Sequence, residues 1–397
     1  MTVAPGPRLL DAVALLSEVA DELVVRTVRD THDAWAERVH RVVRASTGQE
    51  SRVAEQVHRG VASGVYAGVG AGFRALSAGL GALADLEVGP PLEDTGSGRA
   101  VNAAVNGIIG DRLARERPRL AVPLAVRRDG RDVALHATAL RAAFPLATGR
   151  VAVLLHGLSE SESAFDRHRD LVGGTYADTL AALGWTPVLL RANTGLGLRE
   201  NGVALAALLQ DLTGAWPVAV DRVALIGHSM GGLVVRAACA VRSDASRPWD
   251  RLVSNVVTLG TPHLGAPLAG GVGMGARALT RLPETAAFGR ILDQRSAGVL
   301  DLVHGLDDDV PPLPHARYHL VSATLTRSAR HPVGRFLGDL LVRQPSAYGR
   351  SAARSPRHHE LFPGADELHL PRTGHLDLLN HPRVHAALRD WLGGRPA

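Results

Sequence analysis

Val223-Ala-Leu-Ile-Gly-His-Ser-Met-Gly-Gly-Leu233 decides how the rest of this chain is read. A short apolar strand, Val223 to Ile226, runs directly into Gly227-His228-Ser229-Met230-Gly231, a match to G-x-S-x-G, and an apolar helix follows from Leu233 to Ala240. A serine at the apex of so tight a strand-to-helix turn must adopt strained backbone angles. Only small neighbours avoid a clash there, which accounts for Gly227 and Gly231 two residues to either side. The turn exposes the hydroxyl at a helix N-terminus, where free N–H groups can receive a developing oxyanion. Ser229 is therefore the candidate nucleophile.

Working outward, strands alternate with helices. Leu120 to Arg127 and Asp132 to Thr138 flank a turn at Arg128-Asp-Gly130. Val151 to Leu155 is a continuous apolar run, as expected of a strand buried on both faces. A helix over Ser163 to Leu183 follows, then a strand at Thr186 to Arg191, a helix at Gly202 to Leu212 and the strand Arg222 to Ile226. Further strands are expected at Val253 to Leu259, Arg317 to Ala323 and Glu367 to Leu370, and a last helix at Pro382 to Leu392. This order implies an α/β fold: a mostly parallel sheet with helices on both faces and active residues beyond the carboxyl ends of the strands. His156-Gly157-Leu158 sits at such an end, so the N–H groups of Leu158 and Met230 are the candidate oxyanion hole.

The acid and base of a serine triad should follow in that order. Six histidines lie between His358 and His385. His358 and His359 fall in an arginine-rich loop, His369 in a strand, and His381 and His385 in the terminal helix. His375 alone occupies a glycine-containing loop after a strand. Asp339, beyond the strand ending at Ala323, is the favoured acid, with Asp366 the alternative. Asp307, Asp308 and Asp309 precede that strand and suit a solvated loop, and Asp377 lies too close to His375 in sequence to be its natural partner. A metal cluster would need H-E-x-x-H or Cys/His spacing, which the chain lacks. His263 precedes the acid and reads as a residue that shapes the site.

Leu155-His-Gly-Leu158, Arg191-Ala-Asn-Thr-Gly195, Gly227-His-Ser-Met-Gly-Gly232 and Thr258-Leu-Gly-Thr-Pro-His-Leu-Gly-Ala-Pro267 together resemble lipase-like α/β-hydrolases. The likeness is greatest to bacterial relatives of the GPI inositol-deacylases (the PGAP1-like group) and to triacylglycerol lipases. It covers about Leu120 to Leu392. In such families a Gly-Asp-x-x-V segment carries the acid and a Gly-His-Leu segment the base. Gly338-Asp339-Leu-Leu-Val342 and Gly374-His375-Leu376 match them. The resemblance implies ester hydrolysis through an acyl-enzyme without a cofactor, with His156, Gly157, Gly227, His228, Gly231 and His263 as supporting motif residues. Residues 267–314, with Gly270-Gly271 and Gly273 at the base and helices expected at Ala276 to Leu282 and Thr285 to Val303, read as a cap over Ser229.

The remainder of the 397 residues bounds the alternatives. With 46% hydrophobic and 21% charged residues the composition is globular. The 44 basic residues are all arginine, and no dense basic run with interleaved aromatics supports nucleic-acid binding. Cys239 is the single cysteine and cannot form an internal disulfide. One arginine before a short apolar stretch that meets Asp11 and Glu18 makes a poor signal peptide, so a cytoplasmic location is expected. Residues 1–118 read as a helical region separate from a hydrolase domain at 119–397. Within it Gly60, Gly64, Gly68 and Gly72 recur on one face of a helix over Ser51 to Leu86, fitting a tightly packed hairpin with Ala100 to Arg115 or a peripheral membrane contact. The functional expectation is an esterase or lipase acting on a small-molecule or lipid acyl ester. A thioesterase or acyltransferase on the same triad is the alternative chemistry. A non-catalytic membrane-surface or partner-binding protein is the alternative of another class. Acyl length, alcohol group and oligomeric state carry no signal in the sequence.

Overall fold

The computed structural model describes residues 71, 72, 75, 92–266, 296–306, 309–327, 339, 341–350 and 360–394. The chain divides into two compact units, Met1–Gly98 with Gly271–Arg295 and Arg99–Gly270 with Ser296–Ala397. Most of the glycine-repeat helix, and the cap up to Arg295, lie outside the described residues.

Eight strands form one sheet: β1 (Ala125–Arg128), β2 (Arg131–Val133), β3 (Arg150–Leu155), β4 (Thr186–Arg191), β5 (Arg222–His228), β6 (Val253–Leu259), β7 (Arg317–Thr324) and β8 (Asp366–Pro371). Their order is β2-β1-β4-β3-β5-β6-β7-β8. β1 pairs antiparallel with both neighbours, and every pair from β4 to β8 is parallel. The longer helices among the described residues are α1 (Gly96–Glu116), α2 (Ala137–Ala143), α3 (Tyr176–Ala182), α4 (Leu198–Ala215), α5 (Met230–Cys239), α6 (Ala297–His304) and α7 (Pro382–Leu392). This is the mostly parallel α/β sheet with helices on both faces that the alternation of elements implied. Register brings Leu155 of β3 opposite Gly227 of β5, and His228 opposite Leu259 of β6. Three strand ends therefore deliver their following loops to one place.

The central strands read as unbroken apolar runs because both faces of the sheet are covered. Successive side chains point to opposite faces. Val151, Val153 and Leu155 pack with Leu205 and Leu209 of α4 and Leu233 of α5. Ala152 and Leu154 pack with Tyr176 and Leu180 of α3 and Val384 and Leu388 of α7. Each fully buried large aliphatic side chain contributes about 1.5–3 kcal/mol.

Local chemistry shifts some element boundaries. The helix expected over Ser163 to Leu183 is broken, because Gly173 adopts a left-handed conformation (φ 76°) and a new helix, α3, starts after a Thr175/Asp178 capping box. The strand expected to reach Thr138 stops at Val133, and His136 instead caps α2 through its side chain. α1 kinks at Ile109 (φ −133°, ψ 20°). Ser296 takes up the carbonyls exposed there, its N–H donating to Ile108 O at 3.0 Å and its hydroxyl to Gly107 O at 2.8 Å. The Arg112 N–H donates to the neighbouring Asp111 carboxylate at 2.8 Å.

From Arg99 onward α1 packs on the same compact unit as the sheet. The buried Asn106 amide donates to Leu120 O at 3.1 Å and accepts from Val122 N–H at 2.9 Å. A methyl group on Gly107 would come within 2.9 Å of Ser159 Cα, beside the candidate oxyanion residue. Among the described residues no helix is long and apolar enough to cross a membrane.

Two glycine-to-alanine changes in helices should therefore differ in sign. Gly107→Ala overpacks a backbone contact and is expected to cost about 1–3 kcal/mol. Gly214→Ala in α4 meets nothing within 4 Å and should gain up to about 1 kcal/mol from helix propensity. Urea denaturation midpoints check both; a gain at Gly107 would contradict the packing.

Candidate active site

Ser229 is the point where β5 becomes α5. Its backbone sits at φ 52°, ψ −122°, a conformation that disfavours residues with a side chain. The geometry explains the flanking glycines: a methyl on Gly227 would lie 2.4 Å from Gly232 Cα, and one on Gly231 2.4 Å from Leu155 O. The Ser229 N–H donates to Leu259 O at 2.8 Å, tying the turn to the end of β6.

Asp339 and His375, far apart in sequence, meet in the interior. His375 Nδ1 and Asp339 Oδ2 are 2.8 Å apart, with both residues at most 5% exposed. The other oxygen, Oδ1, accepts from the N–H groups of Leu341 at 3.0 Å and Val342 at 2.8 Å, and the His375 N–H donates to Asp339 O at 3.2 Å. These bonds leave the carboxylate one free direction, toward the imidazole. With Nδ1 so engaged, His375 Nε2 is buried without a hydrogen-bond partner. The ring lies against Gly260, whose Cβ would stand 3.1 Å from it. Gly260 follows Leu259, the residue that holds Ser229, so the nucleophile and the imidazole abut one corner of the sheet.

The candidate oxyanion donors have no protein acceptor: among the described residues neither the Leu158 nor the Met230 N–H makes a backbone or side-chain hydrogen bond. The turn before Leu158 is held from three sides. Gly157 N–H donates to Glu160 Oε2 at 2.7 Å, Ser159 N–H to Thr194 Oγ1 at 3.0 Å, and His156 Nδ1 to Gly157 O at 2.9 Å. His156 Nε2 accepts from Ala192 N–H at 3.0 Å, a partnership that needs a neutral ring. Burial lowers its pKa accordingly, against the weaker pull of the Gly157 carbonyl.

His228 behaves differently. Nδ1 lies 2.9 Å from Glu160 Oε2, and Nε2 lies 3.4 Å from His375 O, so both ring nitrogens face acceptors. Burial opposes its charge, but the Glu160 carboxylate and its hydrogen bond raise the pKa above the ordinary imidazole value. Conversely, burial opposes ionisation of Glu160, yet His228 and the Gly157 N–H bring its pKa down to about 2. Glu160 and Thr194 were not singled out from the sequence. The three-residue step from Gly157 back to a carboxylate is the signal that could have found Glu160.

The other candidates fall elsewhere. Asp366 opens β8, exposed and paired with His319 at 2.8 Å. Asp377 bonds the Gly374 N–H, and Asp309 pairs with Arg199 at the surface. Asp307, Asp308, His358 and His359 lie outside the described residues. His369 bridges Ser322 and Thr324, His381 caps α7, and His385 meets Thr179 at 2.7 Å. His263 packs edge-on against Phe362. Burial, then the neighbouring Arg236 cation, holds its pKa well below the usual range. Among the described residues no group of three or more His, Cys, Asp or Glu could hold a metal.

Residues 207–274, from mid-α4 through the Ser229 turn to the Thr-Pro-His segment, match a family model described as the PGAP1-like alpha/beta domain. No curated protein matches the chain. Among solved structures, the mature Bacillus licheniformis lipase BlEst2 is 21% identical with a TM-score of 0.42, covering 61% of this chain and 91% of its own. A thermophilic esterase from Thermogutta terrifontis is 15% identical (TM-score 0.38, covering 62% and 90%). Lipase 1 from Pelosinus fermentans is also 15% identical (TM-score 0.39, covering 63% and 100%).

The depressed pKa of Glu160 has a stability consequence. Its contribution is present in full above the ordinary carboxylate pKa and is lost as pH falls through about 2. At neutral pH it is on the order of 3 kcal/mol as an upper bound. Glu160→Gln should thus be less stable than the wild type at pH 7, with the gap narrowing toward pH 3. Urea midpoints across that range test it; a constant gap would contradict the assignment.

Proposed function

We propose that this chain is a serine hydrolase that cleaves carboxylic esters through an acyl-enzyme. The observation that carries this reading is the buried 2.8 Å Asp339–His375 pair, with Nε2 unpartnered, beside a serine held in the strained turn. Ser229 Oγ attacks the acyl carbon while His375 Nε2 takes its proton. Asp339 holds the tautomer that leaves Nε2 free and stabilises the imidazolium that forms. The oxyanion falls to the N–H groups of Leu158 and Met230. His375 then returns the proton to the leaving alcohol, and water repeats the sequence on the acyl-enzyme.

The acyl group we assign is apolar. Beside the buried Met230 runs α6, Ala-Gly-Val-Leu-Asp-Leu-Val-His, and the Gly298 Cβ position is 3.0 Å from the Met230 methyl. Leu158 packs against the same core. An acyl chain leaving the oxyanion site along this wall meets hydrocarbon, which favours a lipid or other hydrophobic ester.

Fluorophosphonate labelling tests the nucleophile. Wild type should be labelled, Ser229→Ala should not, and Asp339→Asn should slow labelling by about 10³–10⁴-fold. Persistent labelling of Ser229→Ala would overturn the reading. Across 4-nitrophenyl esters, kcat/KM should rise from acetate to longer chains; a flat or falling series would remove the apolar acyl assignment.

A further inference from the structure

Glu160 belongs to no part of the triad, yet it bonds both Gly157 and His228. Its Oε2 accepts from Gly157 N–H at 2.7 Å and from His228 Nδ1 at 2.9 Å, and its side chain is 14% exposed. Gly157 immediately precedes Leu158, and His228 immediately precedes Ser229. His228 is fully buried, its Nε2 lies 3.4 Å from the His375 carbonyl, and its ring centroid is 5.1 Å from that of His375. One carboxylate oxygen thus joins the turn carrying the first oxyanion donor to the turn carrying the nucleophile. Through the imidazole it also reaches the backbone of the general base.

Resting on the acyl-transfer reading above, we propose that Glu160 is a positioning residue for the reaction at Ser229: it clamps the Gly157-Leu158 turn to His228 and, through His228, to His375. Oxyanion stabilisation depends on donors fixed in advance at hydrogen-bond distance from where charge develops. Leu158 has no contact that would fix its N–H directly, since that group must stay free for the substrate. Its orientation is inherited from Gly157 N–H and Ser159 N–H, and the Gly157 bond is the charge-assisted one. Loss of the carboxylate leaves the Gly157 N–H unsatisfied beside Ser229, whose Cβ lies 2.9 Å from the position a Gly157 Cβ would take.

The clamp needs His228 as the cation, because both ring nitrogens must donate. The charged and titratable groups around His228 are Glu160 and His156 from the β3 end, and Asp339 with the His375 backbone and imidazole from the opposite side. His156 is neutral, so the two carboxylates set the charge of His228, with Glu160 the nearer. Because the folded pKa is raised, the clamp is complete below the ordinary imidazole pKa. It loses one of its two bonds as pH rises through the raised value. Without Glu160 that loss moves to lower pH.

The test is steady-state kinetics on a 4-nitrophenyl ester, normalised to active sites by burst titration, for wild type, Ser229→Ala and Glu160→Gln between pH 5 and pH 9. The expected result is that kcat of Glu160→Gln falls about tenfold or more while KM stays within about twofold. Its alkaline decline should move to lower pH. A merely structural role would reduce the number of active sites and leave both kcat per site and the pH profile as in wild type; that result would overturn the proposal. Absence of Ser229-dependent turnover in wild type would instead defeat the hydrolase reading itself. Should Glu160→Gln fail to fold, histidine-selective ¹⁵N NMR of the wild type at pH 6, with His228→Gln as the assignment control, decides the matter. Two protonated ring nitrogens on His228 support the clamp, and a neutral ring refutes it.

Discussion

The backbone of Ser229 is the constraint on which the molecule depends. Held at φ 52° and ψ −122°, it carries strain of order 1–3 kcal/mol that only an over-determined setting sustains. That setting is the centre of the sheet. β5 is bonded on both sides by parallel partners, α5 is buried along its whole length, and the turn is pinned by Leu259 O at one end and by the Gly232 N–H bond to Ser229 O at the other. Because the strand runs straight into the helix, the first helical N–H, that of Met230, stays unpaired next to the hydroxyl. Strain and a partnerless N–H beside the hydroxyl are two results of one geometry.

Around this turn four buried histidines serve different ends, set by their partners. His156 is neutral and joins the β3 and β4 loops by donating through one nitrogen and accepting through the other. His263 is neutral and is packed against Phe362. His228 faces two acceptors and is raised toward the charged form. His375 has one nitrogen on a carboxylate and the other unpartnered. Of the two rings among these four with a partnerless buried nitrogen, His263 and His375, only His375 has its other nitrogen on a carboxylate, the arrangement the proposed base requires.

Much of this is local and hence readable from the chain. The strand-glycine-serine-glycine-helix run encodes its own turn. Strands buried on both faces appear as unbroken apolar runs such as Val151 to Leu155 and Val253 to Leu259. His375 stands out through its glycine loop after the last strand, and Asp339 through its place after β7. What escapes is long-range. The kink at Ile109 depends on Ser296, which takes the exposed carbonyls from far along the chain. Glu160 reads as one more acidic residue in a polar loop until the sheet brings β3 and β5 side by side. The division of the Ser163 to Leu183 segment, by contrast, is local, marked by Gly173-Gly174.

The central claim, that Ser229 carries the acyl group, is tested most directly by rapid-quench peptide mass spectrometry during turnover of a long-chain 4-nitrophenyl ester. The account predicts an acyl mass increment on the peptide containing Ser229, formed in the burst phase and decaying as substrate is exhausted. Turnover with that peptide unmodified throughout, or with the acyl group on another residue, would contradict it.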